Sequence, residues 1–131
     1  MPTKKHIELD SGLACNLAAF DNSQVKRHEM LAKELFRRGE EIRELRNGYA
    51  FRFPAQAQWH LKIAEWVTLE RLCCPFLTFD LKFDHEGGPI WLRLTGSGNV
   101  KEFLKTYFNQ QADDVLAPYE LSHANPSADD I

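Results

Sequence analysis

Glu70, Cys73 and Cys74 are the residues of this chain best placed to do chemistry. They close the run from Trp59 to Phe76, which reads as an amphipathic helix ended by Pro75. At about 100° per residue, Trp59, Ile63, Trp66 and Val67 share one side, and Glu70 falls at the centre of that apolar stripe. Cys73 and Cys74 flank it at i+3 and i+4. A carboxylate on a core-facing stripe is costly unless it is paired, protonated or bound to something. Thiolates suit zinc, copper(I) and mercury(II), and the partial negative charge of a helix C-terminus favours a cation. The candidate metal ligands are therefore Cys15, Cys73, Cys74, Glu70 and His28, provided that the fold carries Cys15 to the end of this helix. Against this, adjacent cysteines depart from the C-x₂-C spacing of structural zinc sites, and there is no second cysteine pair. The competing reading makes all three cysteines small buried hydrophobes.

Other chemistries use the same residues. A thiol redox site is disfavoured because a helix C-terminus and a neighbouring carboxylate both raise a thiol pKa. A Cys73–Cys74 disulfide would join Cα atoms about 3.8 Å apart, below the usual range; a Cys15–Cys74 bridge is open. Glu70 with Trp59, Trp66 and Tyr49 as lining could instead hold a small cationic organic ligand through charge and cation–π contacts. The plainer account of Glu70 is a buried salt bridge to Arg27, Arg46, Arg52 or Arg93. An acid beside two thiols could also cleave a carbon–metal bond, although nothing in the sequence singles that out. His28 on a core stripe is more often a hydrogen-bonded core residue than a ligand. No Ser-His-Asp order, H-E-x-x-H or nucleotide fingerprint is present, and the reading leans away from an enzyme.

The elements that must position these groups are legible in outline. A possible strand lies near Ile7–Leu9 or Leu13–Cys15. Asp21 is a good N-cap, Gln24 completes a capping box, and the first helix runs to about Arg38, with Gly39 as its C-terminal cap. Ile42–Arg46 and Tyr49–Phe53 flank Asn47-Gly48, a type I′ turn signal. The second helix covers about 55–74. Leu77–Phe83 and Ile90–Leu94 make a second strand pair around Asp84–Gly88, and a third helix carries Val100, Phe103, Leu104, Tyr107 and Phe108. The expected fold is α+β, ordered helix–hairpin–helix–hairpin–helix. An antiparallel sheet of about four strands packs its helices on one face. The domain should span 5–110, followed by an acidic, disordered tail over 111–131. Leu61, Leu69 and Leu72 form a second stripe on the middle helix, for another helix or for a homodimer.

Several segments together resemble a family of small bacterial proteins with no established activity. They are Cys15-Asn16-Leu17, Arg27-His28, Glu44-Leu45, Asn47-Gly48-Tyr49-Ala50-Phe51-Arg52, Glu70-Arg71-Leu72-Cys73-Cys74-Pro75-Phe76, Gly87-Gly88-Pro89, Leu94-Thr95-Gly96 and Val100-Lys101-Glu102-Phe103. The resemblance spans roughly residues 13–108, and the Glu-Arg-x-Cys-Cys-Pro-Phe string is its most specific part. Similar Cys-Cys-Phe segments occur in domains attached to regulators of the mercury-resistance type. The resemblance marks Cys15, Glu70, Cys73 and Cys74 and implies no reaction.

Bulk properties narrow the class. With 131 residues the chain can build one real core. A net charge of −3 makes no case for nucleic acid. No apolar stretch approaches a membrane-spanning length, and no signal region is expected. Three cysteines is an odd number, against a simple disulfide framework and in keeping with the cytoplasm. The leading reading is a non-enzymatic cytoplasmic protein that binds a soft metal or metalloid through a cysteine cluster. The alternatives are a module for a cationic organic ligand centred on Glu70, a thiol redox protein, or a structural dimerisation module.

Overall fold

A computed structural model describes residues 6–8, 14–111 and 122–123. Strands β1 (His6–Glu8) and β2 (Ala14–Asn16) form a small antiparallel ribbon. A short 3₁₀ turn, Leu17–Ala19, leads to α1 (Asn22–Arg38). The Asp21 side chain accepts from the Gln24 backbone N–H at 2.8 Å, and the Gln24 side chain accepts from the Asp21 N–H at 3.0 Å. This capping box satisfies two of the helix's orphan donors and sets where α1 begins. Gly39 caps the other end, but with φ −55° rather than the left-handed geometry usual for a capping glycine.

β3 (Glu41–Leu45) and β4 (Gly48–Phe53) follow, then α2 (Ala57–Cys73), β5 (Thr78–Phe83), β6 (Ile90–Thr95) and α3 (Val100–Gln111). The main sheet has the order β5-β6-β4-β3-β7, where β7 is Ser122–His123. β5, β6, β4 and β3 are antiparallel neighbours, whereas β7 runs parallel to β3. β7 falls inside the segment expected to be a disordered tail, and α3 also runs one residue into it. The other residues of that segment lie outside the described residues. A two-residue strand has no period to detect, so the sequence carries no signal for it.

Alternation divides the sheet into two faces. Phe51 and Phe53 meet Phe36 of α1, Phe51 also meets Phe108 of α3, and Phe79 meets Trp66 of α2. All three helices thus reach one core, with ring centroids 4.6–6.3 Å apart. The opposite face carries a smaller buried cluster of Leu45, Ala50 and Trp91, with the Arg43 guanidinium 4.6 Å from the Trp91 ring.

The turn between β3 and β4 corrects the sequence reading. The register pairs Leu45 with Gly48, so the two turn residues are Arg46 and Asn47, and Gly48 opens β4. None of the three has the positive φ that a type I′ turn requires. Gly48 is needed for a different reason: a Cβ there would lie 1.9 Å from the Leu94 carbonyl oxygen on β6. Gly48→Ala should destabilise the fold by at least about 1–3 kcal/mol, the range for overpacking, read as a lower urea midpoint at unchanged slope.

Candidate functional site

α1 and α2 pack antiparallel, and two ion pairs set their register. Arg27 makes a two-pronged contact with Glu65, at 2.8 and 2.7 Å, and Lys62 reaches Glu34 at 2.7 Å. Between these clamps and the end of α2, His28 projects from α1 onto Glu70 of α2. His28 Nε2 and Glu70 Oε1 are 2.5 Å apart, with side chains 5% and 0% exposed. Cys73, one turn beyond Glu70, directs its thiol to the same oxygen at 3.7 Å. Tyr107 of α3 donates its hydroxyl to that oxygen at 3.3 Å. The Cys74 sulfur lies 3.6 Å from the Cys73 sulfur, and both cysteines are fully buried. Trp66 stacks over the His28 imidazole at 6.3 Å.

Two features of this cluster are unusual for a core. Glu70 Oε2 is buried and has no hydrogen-bond partner among the described residues, nor has the indole nitrogen of Trp66. Native interiors hold few such atoms, because each carries its desolvation cost uncompensated. Burial, aided by the Glu70 charge and hydrogen bond, pushes the Cys73 thiol well above its ordinary pKa, so it rests protonated. Burial likewise raises Tyr107 well above 10, with Glu70 and Cys73 adding to it, and keeps its hydroxyl a donor. One nitrogen, one carboxylate oxygen and one sulfur lie within 4.8 Å of one another, from His28, Glu70 and Cys73. That is a donor set of the kind metals use.

The residues singled out from the sequence divide into two groups. His28, Glu70, Cys73 and Cys74 converge, with Trp66 over the imidazole. Cys15 is in β2, whose backbone packs on α2, and its side chain lies outside the described residues. Trp59 is elsewhere: it lines a groove of about 540 Å³ with Met30, Lys33, Glu34, Arg37 and Arg38. Its ring already carries two cations, Lys62 at 5.1 Å and Arg38 at 5.9 Å. Tyr49 lies on β4 beside Lys101, and burial, with the charges of Glu44 and Glu102, raises its pKa to about 12. Two of the arginines considered as partners for Glu70 are engaged with other acids, Arg27 with Glu65 and Arg52 with Glu40 and Glu41. Histidine takes that place. In the leucine stripe, Leu69 is buried whereas Leu61 and Leu72 are 74% and 49% exposed.

Tyr107 was legible in the sequence only as a core position on α3. Its hydroxyl gave no sign of a polar partner on another helix. Cys74 departs from expectation in another way: it is disulfide-bonded, while Cys73 is a free thiol.

The described residues therefore form an α+β fold, three helices packed on a sheet whose strands β5, β6, β4 and β3 are antiparallel, with a buried His–Glu–Cys cluster between α1 and α2. Among the described residues, no helix is long and apolar enough to cross a membrane. No family model, curated protein or solved structure matches the chain.

Proposed function

We propose that this is a non-enzymatic binding protein for a soft metal ion or metalloid, held by His28, Glu70 and Cys73 with Cys74 adjoining. The observation that carries the reading is the convergence of three buried donor atoms of different kinds within 4.8 Å, one beside an unpartnered carboxylate oxygen. A cation bound there would pair the buried carboxylate and satisfy its free oxygen. Zinc, copper(I) and mercury(II) all accept a thiolate with nitrogen or oxygen donors. The resemblance of the Cys73-Cys74 segment to Cys-Cys-Phe segments in domains attached to mercury-resistance-type regulators points the same way.

The test is native mass spectrometry of the reduced protein with each of the three metals. One-to-one binding that is lost in His28→Ala and Cys73→Ser supports the site. No binding by any of the three, or binding indifferent to both substitutions, rejects it.

Acidity gives a second check. Burial and Glu70 hold Cys73 protonated, so a metal must displace that proton. Below the folded thiol pKa, affinity should rise about tenfold per pH unit from this proton alone, measured by competition with a chelator at pH 6, 7 and 8. A flat profile would mean that the Cys73 sulfur is not a ligand.

A further inference from the structure

The three donors of the cluster differ in charge as well as in kind. As metal ligands, His28 is neutral, while Glu70 and the Cys73 thiolate carry one negative charge each, the Cys73 proton having passed to solvent. A dication therefore makes the assembly neutral, whereas copper(I) leaves one negative charge over. All three side chains are buried, and an uncompensated charge among them is costly. The contacts around the cluster do not offset it. Tyr107 is a neutral donor, and the nearby cations Arg27 and Lys62 are held by Glu65 and Glu34, each at 2.7 Å.

Donor kind narrows the choice further. Zinc(II) takes thiolate, imidazole and carboxylate alike, whereas a soft ion gains little from a carboxylate. The two oxygens of Glu70 are also unequal. Oε1 meets His28 at 2.5 Å, Tyr107 at 3.3 Å and Cys73 at 3.7 Å, while Oε2 is buried and has no hydrogen-bond partner among the described residues. When His28 turns its nitrogen to an ion, Tyr107 still holds Oε1, and Oε2 is open to the cation. Carboxylates that ligate metals are commonly held by an outer hydrogen bond of this sort, which fixes their orientation.

Given the metal-binding reading above, on which this depends, we infer that Glu70 selects the metal by charge, matching the site to a dication of the zinc(II) class over copper(I), and that Tyr107 is the positioning residue that holds Glu70 Oε1 while Oε2 meets the ion. Soft metals in general thereby narrow to a divalent ion that accepts oxygen as well as sulfur. Tyr107 comes from α3, so the third helix takes part in the site without supplying a ligand.

The test titrates zinc(II) and copper(I), each in competition with a chelator, into the reduced full chain under anaerobic conditions, with Glu70→Gln and Tyr107→Phe alongside. Glu70→Gln keeps the shape and removes the charge. It should weaken zinc(II) by at least about 100-fold and copper(I) by less than about 10-fold, because the neutral amide now leaves copper(I) the charge-matched ion. Tyr107→Phe removes only the hydroxyl. It should move the zinc-to-copper ratio in the same direction by about 10-fold, the lower end of the losses seen when an outer partner of a ligand is removed. Tyr107→Phe also carries the test if Glu70→Gln does not fold. A Tyr107 that only packs the core would weaken both metals alike, and that result overturns its positioning role. Equal losses of the two metals in Glu70→Gln, or a larger loss for copper(I), overturn selection by charge but leave the site, provided that His28→Ala and Cys73→Ser still abolish binding. Absence of binding by the unaltered chain removes the site and its selectivity together.

Discussion

Cys73→Ser is expected to lower affinity for a soft metal by more than about 100-fold while leaving the fold intact. The reasoning runs through donor type and position. Cys73 is the free thiol of the cluster, and it sits 3.7 Å from the carboxylate oxygen that also meets His28 and Tyr107. Loss of groups that merely orient ligands costs about 10–100-fold, so loss of a sulfur ligand should cost more. A serine hydroxyl is smaller, stays protonated at neutral pH and can donate to Glu70 as the thiol does, so the core around it should survive. Isothermal titration with mercury(II) or zinc(II), alongside a urea melt of each form, separates the two effects. An unchanged affinity would place the metal somewhere other than this cluster.

The second large effect concerns stability. His28→Ala should destabilise the metal-free protein by about 3–5 kcal/mol, the cost of leaving one partner of a buried pair alone. Among the described residues, Glu70 Oε1 would then keep only Tyr107 and the Cys73 thiol, at 3.3 and 3.7 Å, on a side chain that is fully buried in the intact protein. Replacing both partners with apolar residues of similar size, His28→Leu with Glu70→Met, should instead be neutral or stabilising by about 1–4 kcal/mol. The cluster sits among Phe20, Phe36, Trp66 and Tyr107, and such a core accepts apolar side chains readily. A double variant that folds well but binds no metal would mean that the polar pair is retained for binding rather than for folding. A double variant less stable than either single one would make it a structural hydrogen bond. Urea midpoints at fixed slope decide between these outcomes.

Much of the local structure could be read from residue order, because local rules suffice for it. The α1 boundary follows from Asp21 and Gln24, whose reciprocal bonds need only four residues of chain. Alternation in Tyr49–Phe53 and Ile90–Leu94 settles which side chains share a sheet face. A period of 3.6 residues places Glu70 and Cys73 together on the buried side of α2, and Cys74, also buried, caps its end. The site's own helix was therefore determined by sequence alone.

What faces that helix was not. The identity of Glu70's partner depends on the register of α1 against α2, set by Arg27–Glu65 and Glu34–Lys62 across 28 to 38 residues of chain. Four arginines were plausible partners by charge, yet a histidine holds the place. Tyr107 reaches the same oxygen from a third helix, a contact with no local signature. Gly48 is required by Leu94 on a neighbouring strand rather than by its own turn, and β7 pairs with β3 across a long separation in the chain. Leu69 is core while Leu61 and Leu72, on the same helix, are exposed, because packing rather than hydrophobicity decides which apolar side chains are covered. Periodicity can say that a residue points inward, but only the assembled core decides what it meets there, because those contacts join segments that are far apart in the chain.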